Sequence, residues 1–346
     1  MAYTNINKPS NYFNTKLYTG NGATQSITGV GFQPDFTWIK HRNNPTLWNH
    51  SLHDSVRGST KYFPSNNTDQ EVTDSNSVTS FDSDGFSIGT FVKINDNGIN
   101  HVAWNWKANG AGVSNTDGSI SATVSASTTS GFSIVSYTGN STAGATIGHG
   151  LGVKPSMIIT KQRSGDVAEP VVYHTSTGAT KFFKLNTTDA VITNSTLWNN
   201  TEPTSTLFTV GTASNSNASF PMIAYCFAEK KGFSKFGSYV GNGGDNFVYT
   251  GFKPAFVMLK GATAGLADAW YMFDKDRATM NGVAYRFGAN SPNPESLYNY
   301  FNLHSNGFQI RQSESGGNGS GGTYIYMAFA EHPLVSSTGV PCTARW

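Results

Sequence analysis

Two histidines and an aspartate stand close together near the start of the chain, at His50, His53 and Asp54. Neutral imidazoles and a carboxylate are ligands that suit zinc. The chain carries its own control, because similar motifs recur further along it and place Tyr173 and Phe273 at the position of His53. Since this position accepts flat rings in general, we expect His53 to be a packed ring. We predict no metal and no other cofactor.

An Asp-x-x-Arg pattern occurs twice, from Asp54 to Arg57 and from Asp274 to Arg277. The corresponding stretch of the middle segment, 174–177, reads His-Thr-Ser-Thr and lacks both charges. One interpretation is a ligand clamp, because arginine binds carboxylates and similar anions with two parallel hydrogen bonds. The alternative is a local ion pair that closes a turn, which we favour.

Two tryptophans, Trp48 and Trp198, lie in asparagine-rich surroundings. Exposed aromatic rings have an apolar face that can stack on a sugar ring. Trp48 and Trp198 are therefore the candidate glycan contacts. The alternative interpretation is that both rings cap a β-sandwich.

Other motifs lack residues that their chemistry requires. Asp82 to Gly85 resembles the start of a calcium loop, but Lys93 stands where the twelfth position needs a glutamate. The stretch 317–322 satisfies G-x-G-x-x-G but leads into a predicted strand instead of a helix. We predict no catalytic residues and a protein that is not an enzyme. A glycosidase, which needs two carboxylates a few ångströms apart, is kept as the alternative.

The composition narrows the class of protein. Of the 346 residues only 13% are charged and 13% are aromatic, which excludes an intrinsically disordered chain. A net charge of +2 favours neither nucleic acid nor an anionic membrane as partner. We expect no signal peptide and no membrane insertion, because no apolar run is long enough for either. Cys226 lies in an apolar run and is predicted to be a buried free thiol, with Cys342 unpaired near the end.

The chain contains three similar segments in tandem. Each opens with an aromatic turn, continues with a Gly-x-x-Pro entry to an apolar strand, and has a lysine six residues after the proline. Each ends on an aromatic ring, and the intervals are closely similar: 18–106, 137–227 and 239–329. The lysines are Lys40, Lys161 and Lys260, and we expect them to snorkel at the end of a buried strand.

The repeat predicts the fold class. Short runs rich in β-formers, separated by hairpin turns, indicate an all-β protein of three tandem homologous β-sandwich modules, jelly-roll or lectin-like, with few helices. Three copies could also pack around a pseudo-threefold axis. The predicted segments are an N-terminal docking arm (1–17), module 1 (18–110), a Gly/Ser/Thr-rich linker (111–130), module 2 (131–231), module 3 (232–333) and a C-terminal tail (334–346). Within the linker, an added strand over 119–124 is the alternative.

The motifs resemble a family of tandem-repeat, tail-fibre-like virion structural proteins of tailed bacteriophages that infect marine bacteria. The similar stretches are 18–22, 31–40, 148–152, 324–331 and the tail 335–345, where Cys342 departs from the expected Thr or Ala. The resemblance implies a protein of the virion, assembled in the host cytoplasm.

What the resemblance implies about function is a non-enzymatic tail fibre or adhesin-like appendage subunit that presents module loops to the host surface. A capsid decoration or head-fibre protein is the first alternative, and a glycan depolymerase is the second. The expected partners are other virion proteins (tail or major capsid protein) and a host surface glycan, with homo-oligomerisation possible and no nucleic acid.

Overall fold

The computed structural model describes residues 4–278 and 280–341. Over these residues the chain forms 28 strands, three one-turn α-helices and one short 3-10 helix. The predicted all-β class with few helices is confirmed. Within the described residues, none of the helices is long and apolar enough to cross a membrane.

The first unit is built from strands β1 to β9. Its large sheet has the order β1-β9-β3-β4-β5-β6, and its small sheet has the order β2-β8-β7. All the paired strands are antiparallel. The elements are a 3-10 helix (Pro9–Asn11), β1 (Phe13–Thr19), β2 (Gln25–Thr28), β3 (Phe36–His41), β4 (Ser51–Asp54), β5 (Lys61–Phe63), β6 (Val72–Thr73), β7 (Val78–Asp82), β8 (Gly85–Ile88), α1 (Val92–Asn95) and β9 (Asn100–Trp106).

The second unit is built from β10 to β19. Its large sheet has the order β10-β11-β12-β19-β14-β15-β16-β17, and β13 pairs with β18 in the small sheet. The elements are β10 (Val113–Asn115), β11 (Ala122–Ser127), β12 (Phe132–Thr138), β13 (Ala145–Gly148), β14 (Met157–Gln162), β15 (Val171–His174), β16 (Lys181–Lys184), β17 (Ile192–Thr193), α2 (Ser195–Trp198), β18 (Leu207–Val210), α3 (Ser214–Asn217) and β19 (Pro221–Phe227).

The third unit is built from β20 to β28. Its large sheet has the order β20-β28-β22-β23-β24-β25, and its small sheet has the order β21-β27-β26. The elements are β20 (Ser234–Val240), β21 (Asn246–Tyr249), β22 (Phe252–Gly261), β23 (Tyr271–Asp274), β24 (Ala284–Gly288), β25 (Ser296–Tyr298), β26 (Phe301–His304), β27 (Gly307–Ile310) and β28 (Thr323–Pro333). Apart from β10 and β11, the three large sheets have corresponding strand orders.

The large sheets are covered on both faces. Every residue of β3, β14 and β22 is buried, as their two-sided apolar pattern predicted. One face of each sheet packs in a hydrophobic cluster with its own small sheet. The other face joins a single central cluster that draws on all three units. The three units therefore share a core and are not independent domains joined by linkers. The predicted module boundaries stay a prediction.

Corresponding rings meet at the centre of the molecule. Trp106, Phe227 and Phe329 each end the aromatic strand of one unit, and their ring centroids lie 5.7 to 6.3 Å apart in all three pairs. This mutual contact is what a pseudo-threefold arrangement of the units requires. Such ring contacts add to the free energy of burying the large sheets.

Two of the predicted connecting segments are wrong. The linker over 111–130 contains β10 and β11, because Ile120, Ala122 and Val124 alternate and bury their side chains in the core of the second unit. The docking arm over 1–17 packs Ile6 and Phe13 into the chain's own central cluster.

The two ends of the described chain meet. Asn7 exchanges two hydrogen bonds with Ser337, at 2.7 and 2.8 Å, which joins the start of the chain to the C-terminal tail. The last residues of that tail, including Cys342, lie outside the described residues. Cys226 is a free buried thiol, as predicted.

The aromatic turn that opens each unit docks on a buried asparagine. In the second unit the Oδ1 atom of Asn217 accepts the N–H of Asn140 at 2.9 Å, and its Nδ2 atom donates to the carbonyls of Thr142 and Gly211. A side chain at Gly139 would place its Cβ 2.1 Å from the Ala218 carbonyl oxygen, so this turn requires glycine. Asn95 and Asn318 make the corresponding bonds in the other units.

Candidate functional site

The Asp54–Arg57 pair is fully buried in the first unit. Arg57 Nε donates to Asp54 Oδ2, and Asp54 Oδ1 accepts the backbone N–H groups of Val56 and Arg57. Arg57 Nη2 also donates to the Leu52 carbonyl at 2.8 Å. Both side chains have 0% exposure. The turn residues are thus tied to the end of β4 by a charged network.

This network continues into the second unit. The Tyr225 hydroxyl donates to Asp54 Oδ2 at 2.7 Å, and Arg57 Nη1 donates to Glu71 Oε2 at 3.2 Å. Arg163 binds the same Glu71 carboxylate with two bonds of 2.9 Å. Five side chains therefore join the first two units across their boundary.

A second, similar network joins the third unit to the first. Arg277 Nε donates to Asp274 Oδ2 at 2.6 Å, and Trp104 Nε1 donates to the same oxygen at 2.9 Å. Arg277 also reaches Glu295 at 3.4 Å, and Arg42 Nη2 lies 2.8 Å from that carboxylate. Asp274 pairs with Phe256 as Asp54 pairs with Phe36, and Trp104 holds on β9 the position that Tyr225 holds on β19.

The third boundary, between the second and third units, has none of these charges. His174, Thr177, Val191, Ala262 and Met327 occupy the five corresponding positions. His174 Nδ1 accepts the N–H of Ser176, so Nε2 carries the proton and donates to the Tyr326 carbonyl at 3.2 Å. Burial lowers the pKa of His174 to about 4, which keeps it neutral. Met327 has no donor for a carboxylate, which explains why this boundary has no aspartate.

The backbone keeps the same geometry at all three boundaries. One hydrogen bond of 2.9 to 3.3 Å recurs at each: Glu71 N–H to Arg163 O, Val191 N–H to Ala262 O, and Glu295 N–H to Arg42 O. The three boundaries therefore share this backbone hydrogen bond and differ in the side chains around it. Because all four side chains of the Asp-x-x-Arg motifs are buried, the structure supports the ion-pair interpretation over the ligand clamp.

The two histidines near the start of the chain are packed rings. His53 Nδ1 lies 2.9 Å from the Ser59 carbonyl, and its ring lies against Tyr62. His50 Nδ1 accepts from Trp38 Nε1 at 2.8 Å. Burial lowers the pKa of His53 to about 3. The described residues hold no group of three His, Cys, Asp or Glu side chains placed to bind a metal.

The three recurring lysines do not snorkel to solvent, so that expectation is wrong. Lys40, Lys161 and Lys260 are at most 1% exposed. Each ammonium group donates to a carbonyl of the loop after its strand, those of Trp48, Ala168 and Asp268. Burial lowers the lysine pKa values to about 7, 8 and 8. Each buried ammonium group gives a hydrogen bond to a loop carbonyl, which explains why the lysine recurs in each unit.

The two candidate tryptophans have different environments. Trp198 is 2% exposed and packs edge-on against Tyr173, so its predicted role as a glycan contact is wrong and the capping interpretation applies. Trp48 is half-buried, and the ammonium of Lys93 lies 5.8 Å from its ring centroid. Tyr62 and Phe91 also face that ammonium, so the chain's own lysine occupies this aromatic cluster.

A second aromatic surface, which the sequence interpretation missed, lies on the third unit. Phe247 and Tyr249 alternate with the buried Val248 on β21, and they are 46% and 54% exposed. β21 is an edge strand of the small sheet. We call the outer side of this sheet the aromatic face. It is formed by β21, β27 and β26.

Polar side chains lie beside these rings. Gln309 on β27 pairs across the sheet with both Phe247 and Asn302. Its Oε1 atom accepts from Asn302 Nδ2 at 3.1 Å and lies 3.2 Å from His304 Nε2. The His304 ring contacts Phe247 edge-on at 5.7 Å. The face therefore combines apolar rings with groups that donate and accept hydrogen bonds.

The other two units lack aromatic rings at these positions. By strand register, Phe247 and Tyr249 correspond to Ser26 and Thr28 in the first unit. The second unit has Thr146 and Gly148 there. The fold therefore does not need rings at either position. An alignment of the three repeats over β2, β13 and β21 would have shown this difference from sequence.

These features define an all-β protein whose three large sheets share one core and whose recurrent polar side chains serve packing. A family model described as a domain of unknown function (DUF7483) matches residues 8–333. The chain belongs to this family. No curated protein matches it.

Proposed function

We propose that the protein is a non-enzymatic structural component of a phage virion, a tail-fibre or adhesin-like appendage subunit that holds a binding surface toward the host. Two kinds of observation support this proposal. The motifs of the chain resemble tail-fibre-like virion proteins, and the shared core makes the three units one body suited to presenting a surface.

The observation that carries the proposal is the contrast between buried and exposed side chains. The charged pairs Asp54–Arg57 and Asp274–Arg277 are buried at unit boundaries, where their side chains bind each other. The exposed rings of Phe247 and Tyr249 are peculiar to one unit and contribute nothing that the other units need. Two exposed aromatic rings side by side on one sheet face, which the fold does not require, favour a role in binding.

The test uses the virus that encodes the protein. Gold-labelled antibody against the chain should mark the tail or its fibres in electron micrographs, and the purified protein should bind host cells saturably. Binding should be competed by unlabelled protein. Label on the icosahedral shell without cell binding would favour capsid decoration. Absence of label from purified particles would contradict a virion role.

A further inference from the structure

We infer that the aromatic face of the third unit is a glycan-binding subsite for a neutral, hydroxyl-rich oligosaccharide. The inference rests on the proposed function only for the source of the glycan, the host surface. The chemistry itself is argued from the face. Phe247 and Tyr249 supply the stacking surface, and the polar side chains beside them supply hydrogen bonds.

The rings are arranged for stacking. They stand two residues apart on one strand, so both point to the same side of the sheet. The Phe247 ring passes close to Gly307, where a Cβ would lie 2.8 Å from the ring, so the glycine leaves room for it. Three strands span about 10 Å, which is room for a short oligosaccharide. Axial C–H groups of a sugar present an apolar surface to such rings.

Gln309 supplies the hydrogen-bonding capacity of the face. Asn302 is 8% exposed, and its Nδ2 atom donates to Gln309 Oε1, so it holds that side chain in place. Gln309 uses Oε1 for two contacts, and its amide N–H groups are available for an acceptor on a ligand. Sugar hydroxyls both donate and accept, which matches this set.

The charge of the face favours a neutral ligand. The strands β21, β26 and β27 contain no Asp, Glu, Lys or Arg. Arg311 follows β27, but its guanidinium donates to the Asn299 carbonyl at 2.8 Å. A polyanion would need clustered cations, and a membrane surface would need more apolar area. A neutral glycan is the partner whose chemistry these groups recognise.

The test compares three full-length proteins on an array of neutral oligosaccharides and bacterial surface polysaccharides. The double variant Phe247→Ser/Tyr249→Thr carries the residues that the first unit has at these positions, so it should fold. The control variant Val113→Ser/Val167→Thr removes apolar side chains that are 70% and 73% exposed elsewhere. Wild type and control should bind a subset of neutral glycans, and the double variant should bind at least about tenfold more weakly.

Three results would overturn the inference. They are a wild type that retains no glycan, a double variant that binds as tightly as wild type, and a dimer, detected by light scattering, that the double substitution converts to monomer. The last result would assign the face to a second copy of the chain. If the double variant still binds host cells like wild type, the subsite is wrong while the adhesin role stands. If the double variant loses binding on the array but antibody finds the protein on the capsid, the glycan subsite stands and the tail-fibre proposal is wrong.

Discussion

At the scale of single residues, the buried ion pairs show how charge is tolerated inside this protein. Asp54 makes bonds to Arg57, to Tyr225 and to two backbone N–H groups, so its carboxylate is fully satisfied. Removing one partner of such a pair leaves a buried charge without compensation. Replacing all partners by neutral groups of suitable shape does not.

The first prediction follows from this difference. Asp54→Ala should lower the free energy of unfolding by about 3–5 kcal/mol, measured by urea denaturation, because the buried Arg57 would lose its Nε partner and keep Glu71, at 3.2 Å, as its one carboxylate. The exposed Asp166→Ala is the control and should change stability by less than about 0.5 kcal/mol.

A five-residue exchange gives the matched comparison. The replacements take the side chains of the uncharged boundary: Asp54→His, Arg57→Thr, Glu71→Val, Arg163→Ala and Tyr225→Met. This variant should lose less stability than Asp54→Ala alone, because no charge remains unpaired. Equal or greater loss would show that the charged network contributes net stability that the uncharged boundary does not match.

At the scale of secondary structure, each unit depends on a one-turn helix or turn that ends in a buried asparagine. Asn217 closes α3, and its side chain makes hydrogen bonds to the backbone of the aromatic turn at Asn140 and Thr142. Helices this short have no stability of their own. The side-chain amide therefore holds the helix to the turn.

The second prediction concerns this amide. Asn217→Ala should lower the free energy of unfolding by at least about 2 kcal/mol, because one N–H and two carbonyls lose their partner in a buried site. Asn215→Ala on the same helix removes a single, part-buried bond to Glu169 and should cost less than about 1 kcal/mol. Equal effects of the two substitutions in thermal or urea unfolding would contradict a special role for Asn217.

At the scale of the whole molecule, the folded protein buries several neutral histidines, most of them in the first unit. Burial lowers the pKa values of His41, His101 and His174 to about 4 and of His53 to about 3, from an ordinary value of 6.5. Between about pH 6.5 and 4 the unfolded chain therefore binds more protons than the folded one. The free energy of unfolding must fall as the pH falls through this window.

The third prediction tests this linkage. The free energy of unfolding, measured by urea denaturation from pH 7.5 to 4, should decrease steadily below pH 6.5, by up to about 1.4 kcal/mol for each buried histidine and pH unit. His53→Phe introduces the ring that the third unit has at Phe273, and it should flatten the slope. An unchanged slope in this variant would mean that His53 is already charged in the folded protein.

Much of this architecture was predictable from sequence because it is local and repeated. The alternation of apolar residues, the turn motifs and the triplication specify strands, turns and two-sided burial without reference to distant parts of the chain. The repeat also identified His53 correctly as a ring position, since Tyr173 and Phe273 align with it. The linker over 111–130 was mispredicted because its small residues form strands only where a sheet edge receives them.

Only the tertiary structure decided which side chains meet across the unit boundaries. Asp54 and Tyr225 are far apart in sequence, and no local pattern relates them. The same holds for exposure: Trp198 and Phe247 are both aromatic residues in polar surroundings, yet one is buried and the other faces solvent. The sequence by itself determined the strands and their repetition, because those depend on local periodicity. Burial and partnership were decided by the packing of three sheets around one centre.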